Sequence, residues 1–259
     1  MEDMDERRLS FGSVAEDYDA FRPSYPSQLV DEILDYSGVA LGDRALESGA
    51  GTGIATALFA GRGLRITAVE PSAEMAEVAR RRLGASEVEF QICGLEQAQI
   101  EEPFPLLYSA QAWHWVDPAI RYQLAADALL TAGAIALFWN YPDWESCALQ
   151  AQLDQVYAEY PGLHQGPGYP GTSAAADPDT GWPGESVELF TDHEVRHYDW
   201  AQAYLSAEYA SLLATHSDHI LLDGAARERL LAGVVGVIDM NGGSFELPYR
   251  TRLLLARKR

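Results

Sequence analysis

One short stretch decides the fold of this chain: Glu47-Ser48-Gly49-Ala50-Gly51-Thr52-Gly53. It ends a strand-like run over residues 44–48 and precedes a helical pattern over residues 54–61. Glycines at a strand-to-helix junction let the backbone turn sharply and let a ligand approach the main chain closely. A tight turn without a ligand is the alternative. In nicotinamide dinucleotide sites the third glycine comes one residue later, at the position that Ile54 occupies here. The spacing of the glycines therefore argues against such a site.

Outward from this loop, short apolar runs alternate with helical patterns. Seven strands are predicted over residues 44–48, 64–70, 88–93, 106–110, 134–140, 194–200 and 245–257. Helices are predicted near residues 29–34, 54–61, 73–83, 119–131, 149–157, 206–216 and 224–239. Strands joined by crossover helices form parallel sheets with right-handed connections. We therefore predict an α/β fold with a doubly wound, seven-stranded Rossmann-like sheet. It is mostly parallel, with an antiparallel C-terminal hairpin strand and helical lid insertions.

The domain organisation follows from the length and from one change of composition. A chain of 259 residues fits a single α/β domain. We predict one domain over residues 1–259, with an N-terminal helical cap over 1–38 and lid or substrate-binding insertions over 141–240. Residues 161–184 form a Gly/Pro-rich run, which is typical of a lid, a binding loop or disorder.

Composition and charge exclude several classes of protein. The formal charge is -21, from 39 acidic and 18 basic residues, and the basic residues form no stripe, so we expect no nucleic-acid partner. Cys93 and Cys147 lie far apart and outside any CxxC pair, so we expect neither a disulfide framework nor a metal site. The N-terminus is acidic and no apolar run approaches the roughly 18 residues that span a bilayer. We therefore expect a cytoplasmic protein that does not enter membranes.

The second predicted strand ends in a carboxylate. Glu70 lies 21 positions after Gly49. At this place in a Rossmann-like fold a carboxylate can accept both hydroxyls of a ribose. A solvated strand end is the alternative, but the glycine loop upstream favours the ribose-binding interpretation.

Four segments carry a family resemblance. They are Phe11 to Pro26 with its Tyr18 and Arg22-Pro23, Val69-Glu70-Pro71-Ser72 with Met75, Ser109-Ala110-Gln111-Ala112-Trp113-His114-Trp115, and a tail from Ser206 to Thr251. Together they resemble the class I S-adenosylmethionine-dependent methyltransferases. The likeness is to a small-molecule branch, methyltransferase type 11, that includes the trans-aconitate methyltransferase-like enzymes.

This resemblance implies the cofactor, S-adenosylmethionine, and the residues that bind it. Gly49, Gly51 and Gly53, following Glu47, would approach the methionine portion, and Glu70 would hold the ribose. Pro71 and Met75 would flank the adenine. Gly94, Leu95 and Glu96 would lie at the adenine edge, where Gly94 replaces a common Asp and leaves the Leu95 backbone as the expected contact. Ser109 and Ala110 would pass beneath the sulfonium.

Tyr18 and Arg22 are also predicted to bind the cofactor. A guanidinium fits a carboxylate bidentately, and the methionine tail ends in a carboxylate. A surface arginine with a core tyrosine is the alternative.

Catalytic and acceptor-binding candidates follow the fourth and fifth strands. His114 is the candidate catalytic base, because histidine suits proton transfer near neutral pH, with a positioning role as the alternative. Trp113, Trp115, Trp139 and Tyr141 are predicted to bind the acceptor at the carboxyl edge of the sheet, with core packing as the alternative. His193, His197, His216 and His219 are expected to be solvated or core residues.

Function can then be stated as a prediction with two alternatives. We predict transfer of a methyl group from S-adenosylmethionine to an oxygen, nitrogen or carbon atom of a small molecule, with aromatic or natural-product-like acceptors as candidates. Non-methyl chemistry on the same cofactor, such as cyclisation, is one alternative, because fold does not fix reaction. A non-catalytic binding module is the other.

Overall fold

A seven-stranded sheet forms the centre of the protein in a computed structural model, which describes residues 22–160, 163, 182, 186 and 188–259. The strands are β1 (Arg44–Ser48), β2 (Arg65–Val69), β3 (Val88–Gln91), β4 (Phe104–Ala110), β5 (Leu129–Pro142), β6 (Phe190–Leu205) and β7 (Ser244–Lys258). Their order across the sheet is β3-β2-β1-β4-β5-β7-β6. Neighbouring strands from β3 to β5 are parallel, whereas β7 runs antiparallel to β5 and β6. The predicted fold class is confirmed.

Helices cover both faces of the sheet. They are α1 (Ser27–Ser37), α2 (Ile54–Ala60), α3 (Ala73–Leu83), α4 (Arg121–Ala128), α5 (Gln150–Tyr157), α6 (Ser206–Ala214), α7 (Ser217–Ile220) and α8 (Gly224–Met240). Side chains of α1 and α2 share one buried cluster with one face of the sheet, and those of α4 share another with the opposite face. None of the helices in the described ranges is both long enough and apolar enough to span a bilayer.

The start of β5 differs from the prediction. The sequence favoured a helix over 119–131, but α4 ends at Ala128 and β5 begins at Leu129, which pairs with Phe104 of β4. An apolar run such as this one is compatible with either state, and pairing with a distant strand decides between them. Pro105 is the second residue of β4. The register shifts between Phe104 and Leu106 there, which suits a residue that cannot donate to a ladder.

The length of β6 also exceeds the prediction of 194–200. It runs from Phe190 to Leu205 because it pairs with β7 along almost its whole length, from Phe190 opposite Lys258 to Leu205 opposite Ser244. β7 also pairs with β5. The pair of β6 and β7 continues past the carboxyl end of β5, and so past the parallel part of the sheet.

A third buried cluster joins the helical layer, which we define as α5, α6 and α8, to β6 and β7. Leu153, Leu213 and Val234 are at most 1% exposed and pack with Leu247 and Tyr249. Burying side chains of this size contributes about 1.5–3 kcal/mol each. The helical layer falls within residues 141–240 and stands beside the carboxyl end of β5.

Candidate active site

The glycine loop connects β1 to α2 in a conformation that favours glycine. Gly49, Gly51 and Gly53 have φ of +76°, +57° and +81°. The amides of Gly49 and Ala50 donate to the carbonyl oxygen of Val69, at 2.8 and 3.2 Å. The loop is therefore held against the end of β2, which is where Glu70 follows.

Gly49 also permits a close approach. A Cβ atom built there would lie 2.3 Å from Cβ of Ala112, which no ordinary packing allows. The hydroxyl of Ser109 donates to the carbonyl oxygen of Ser48 at 2.8 Å. The predicted segment after β4 and the glycine loop are thus in direct contact.

Glu70 faces the loop and is only 5% exposed. Its Oε2 accepts the amide of Gly51 at 2.8 Å, and its Oε1 accepts the amide of Ser72 at 2.8 Å. These two bonds hold the carboxylate between the glycine loop and the start of α3. A Cβ at Gly51 would meet only Sδ of Met75, at 3.9 Å. Three predicted residues, Gly51, Glu70 and Met75, therefore lie close together.

The predicted adenine side is built by two local structures. Ser72 caps α3 by accepting the amide of Met75 at 3.2 Å, which fixes Pro71 and Met75 at the start of that helix. Leu95 is 6% exposed and packs with Val69 in the core, and Glu96 accepts the amide of Asp117 at 3.1 Å. Gly94 has an extended backbone just before the Leu95–Gln97 turn.

Glu47 lies beneath the loop and is fully buried in β1. The hydroxyl of Tyr108 donates to its Oε2 at 3.0 Å. Burial raises the pKa of Glu47 from 4.5 to about 7, an effect that outweighs the hydrogen bond from Tyr108. Ionisation of this carboxyl is therefore disfavoured in the folded protein.

We expect Glu47→Gln to stabilise the folded protein above pH 7 but not at pH 4.5. Because the pKa is near 7 in the folded chain and 4.5 in the unfolded one, ionisation costs stability progressively as pH rises between these values. The difference corresponds to about 3 kcal/mol at most, or roughly 10 °C in melting temperature. Thermal melts at pH 4.5 and pH 8 measure it, with Glu89→Gln, exposed on β3, as the control. An equal shift at both pH values would contradict the assignment.

The four aromatic candidates differ in burial and in the rings that they contact. Trp113 is 2% exposed and packs on the ring of Tyr122, with centroids 5.7 Å apart. Trp139 packs at the edge of the same buried cluster, and Tyr141 is half-buried with its pKa raised to about 12 by burial. Trp115 is half-buried, with its ring 4.8 Å from that of His114.

His114 lies in the short turn Trp113–Trp115 after β4. Burial, reinforced by the charge of Arg121, lowers the pKa of its imidazole to about 4. The ring is therefore neutral at pH 7. Tyr18, the partner predicted for Arg22, lies outside the described residues.

One candidate was missed by the sequence reasoning. Gln111 has φ of +59°, which is uncommon for a side chain larger than glycine and often occurs at functional sites. Its amide donates to the carbonyl oxygen of Phe138 at 2.9 Å, which ties the end of β4 to β5. The side-chain Oε1 is buried and has no hydrogen-bond partner among the described residues. Its place in the Ser109–Trp115 segment was the only available signal.

A narrow cavity of about 20 Å³ lies beside the carboxyl end of β5. Four parts of the chain line it: residues 22–23, the end of β5 with the turn after it, the region of α6, and the first half of β7. Its lining residues are Arg22, Pro23, Asn140, Pro142, Trp144, Tyr209, Leu212, His216, Leu247 and Tyr249. We call it the β5–α6 cavity. Of the predicted site residues, it includes only Arg22.

Part of the sequence is similar to known methyltransferases. Residues 45–131 match a family model described as a methyltransferase domain. An uncharacterized methyltransferase of Mycobacterium tuberculosis is 38% identical over 135 residues, which are 52% of this chain and 54% of that protein. The chain thus spans about half the length of the first curated relatives that it matches.

Two solved structures share the fold. A protein from Anaeromyxobacter dehalogenans, provisionally described as a type II methyltransferase, has a TM-score of 0.62 at 20% identity over 93% of this chain and 98% of that chain. Phosphoethanolamine N-methyltransferase 2 of Haemonchus contortus, in complex with S-adenosylmethionine, has a TM-score of 0.51 at 15% identity over 95% of this chain and 57% of that chain.

The match of residues 45–131 to a methyltransferase domain and the similarity to curated methyltransferases agree with the resemblance seen in the sequence. The two solved structures show that the fold is shared.

Proposed function

We propose that the protein is a cytoplasmic enzyme that transfers a methyl group from S-adenosylmethionine to a small-molecule acceptor. The observation that carries this proposal is the glycine loop held on Glu70, with the Gly51 amide 2.8 Å from the carboxylate. Positive φ at three glycines fits a backbone turn that a ligand can approach closely.

The cofactor brings a methyl group that is already activated on a sulfonium. The work of the chain is to bind and align the reactants and to keep water away. In this proposal Glu70 accepts the ribose hydroxyls while its bonds to Gly51 and Ser72 hold the carboxylate in place. Pro71 and Met75 cover one side of the adenine, and the Leu95 backbone, between Gly94 and Glu96, meets its edge.

The methionine portion and the sulfonium would lie over the strand ends beside the loop. Gly49 and Gly53 let the main chain pack closely against Ala112 and Ala79 there, with Glu47 buried below. Ser109 and Ala110 come next, because the Ser109 hydroxyl ties β4 to the end of β1. The contact of Gly49 with Ala112 closes this part of the site.

His114 remains the candidate base of this proposal, although its low pKa favours a positioning role. A neutral imidazole can accept a proton or a hydrogen bond at its unprotonated nitrogen. A base with a pKa of about 4, however, accepts protons only weakly at pH 7. Trp113, Trp115, Trp139 and Tyr141 remain candidates for contact with the acceptor, and the deep burial of Trp113 favours packing for that residue.

The proposed activity is tested in two steps. Calorimetric titration should show saturable binding of S-adenosylhomocysteine to the full chain. Incubation with S-adenosylmethionine and a panel of small phenols, amines and carboxylic acids should then release S-adenosylhomocysteine and yield a product heavier by one methyl group. A product without the added methyl would favour non-methyl chemistry. Binding without turnover of any acceptor would favour a non-catalytic module.

A further inference from the structure

The β5–α6 cavity lies where a second ligand would meet the cofactor. Ligands of open α/β sheets bind at the carboxyl ends of the strands. Asn140 and Pro142 end β5, and Tyr249 pairs with Pro142 from the neighbouring β7. In the strand order, β4 separates β5 from β1 and its glycine loop, so the cavity is two strands away from the loop.

His216 is a buried polar residue of this cavity that packing alone does not explain. It is 6% exposed, and its Nδ1 has no hydrogen-bond partner among the described residues. A buried polar atom without a partner costs about 1–3 kcal/mol. Burial, with the charges of Arg22 and His219 adding to it, holds the pKa of His216 well below its usual range, so the ring is neutral.

A second residue that lines the cavity has a buried polar atom with the same property. Nε1 of Trp144 is buried and has no hydrogen-bond partner within the described part of the chain. The indole and the imidazole come from different segments, the turn after β5 and the turn after α6. Two such atoms on one cavity indicate a ligand that supplies their partners.

Arg22 brings a positive charge to the same cavity. Its guanidinium donates to the carbonyl oxygen of Thr215 at 3.4 Å, beside His216. The charge acts on the pKa of both His216 and Tyr249, which lie on opposite sides of the cavity. The segment after Arg22 is fixed, because the Asn140 side chain donates to the carbonyl oxygen of Ser24 at 2.9 Å.

The remaining walls are apolar and largely aromatic. The rings of Trp144 and Tyr209 are perpendicular, with centroids 6.3 Å apart, and Leu212 and Leu247 complete the surface. Such walls fit a flat apolar body. The present volume of about 20 Å³ holds little more than a water molecule, so the walls must separate to admit a larger ligand.

We propose that the β5–α6 cavity is the acceptor site and that the acceptor is a small aromatic carboxylate. Arg22 and Trp144 Nε1 bind the carboxylate, Tyr209 contacts the ring, and His216 Nδ1 forms a hydrogen bond with a further polar group. This proposal rests on the proposed function. It also changes the role predicted for Arg22, whose position at β5 and β7 favours the acceptor's carboxylate over the methionine carboxylate of the cofactor.

The test uses 4-hydroxybenzoate and its neutral analogue 4-hydroxybenzamide as probes. Each is titrated by NMR into the full chain saturated with S-adenosylhomocysteine. We expect the acid to bind at least tenfold more tightly than the amide, because a charge-assisted bond to Arg22 is lost. Arg22→Gln should remove this preference and leave S-adenosylhomocysteine affinity within about twofold, whereas Arg229→Gln, exposed on α8, should change neither.

Benzoate, which lacks the hydroxyl group, supplies a second comparison. His216→Phe should reduce the advantage of 4-hydroxybenzoate over benzoate while the acid-to-amide preference stays. Equal binding of acid and amide to the wild-type chain, or binding of neither, would overturn the proposal. Loss of S-adenosylhomocysteine binding in Arg22→Gln would assign Arg22 to the cofactor instead. Failure of the wild-type chain to bind S-adenosylhomocysteine would count against the proposed function itself.

Discussion

Gly49→Ala should lower the affinity for S-adenosylhomocysteine by at least tenfold and destabilise the protein by about 2–5 kcal/mol. The new Cβ would lie 2.3 Å from that of Ala112, at a residue whose φ is +76°. The loop and the segment after β4 would have to move apart, and both border the proposed methionine site. Thermal melts should show a loss of roughly 5–15 °C, and titration at 10 °C measures the affinity of the folded fraction.

Gly38 provides a matched control for this prediction. It has φ of +74°, almost the same as Gly49, and a Cβ there would meet nothing within 4 Å. Gly38→Ala should therefore show only the cost of the left-handed backbone, about 1–2 kcal/mol, and normal affinity. Equal behaviour of the two variants would mean that the contact with Ala112 has no role in the site.

Glu70→Ala should weaken S-adenosylhomocysteine binding by about a hundredfold or more. Two hydroxyl groups would lose a charged acceptor, at about 1.5–3 kcal/mol each, and the Gly51 amide would lose the bond that orients the loop. The affinity of Glu70→Gln should fall between those of Glu70→Ala and the wild type. Its amide keeps one acceptor oxygen but places an NH₂ group beside a backbone N–H. Calorimetric titration gives the three affinities.

Two comparisons test whether the loss of affinity is specific to Glu70 and to the ribose. Glu89→Ala removes an exposed carboxylate from β3 and should leave the affinity unchanged. Adenosine should lose affinity for Glu70→Ala as strongly as S-adenosylhomocysteine does, because both carry the ribose. 2′,3′-Dideoxyadenosine should lose only the smaller part of the affinity that depends on the orientation of the loop. If Glu70→Ala weakens the binding of dideoxyadenosine as much as the binding of adenosine, Glu70 acts on the loop and not on the ribose.

Most of the fold could be predicted because its signals are local. The β1–loop–α2 unit, α3 and the strand β2 each show their pattern within about ten residues. The start of β5 and the length of β6 depend instead on pairing with Phe104 and with β7, which lie far away in sequence. No periodicity within either segment reports that pairing.

The candidate site also has one part with a local sequence signal and one part without. The loop, Glu70 and Met75 lie within 30 residues, and in the structure Gly51 is close to both Glu70 and Met75. The β5–α6 cavity draws its walls from four separate segments and has no sequence signature. One signal was available: side chains alternate along a strand, so Asn140 must face away from Trp139 and Tyr141, and it is Asn140 that lines the cavity.

His216 illustrates a related difficulty. A single histidine at the end of an amphipathic helix usually packs in the core, and His216 and His219 are indeed buried. Only the surroundings distinguish them. His219 Nε2 is hydrogen-bonded to the Tyr157 hydroxyl at 2.9 Å, whereas His216 lines the cavity and its Nδ1 has no protein partner among the described residues. Such a difference arises from tertiary structure alone.

The central claim is that S-adenosylmethionine binds across the glycine loop and Glu70. Hydrogen–deuterium exchange of the full chain with and without S-adenosylhomocysteine tests it most directly. We predict slower exchange in peptides covering Gly49–Gly53, Glu70–Met75 and Gly94–Glu96, with the exposed turn Asn241–Gly243 unchanged. Saturating ligand that leaves those three segments exchanging at the unbound rate would contradict the claim.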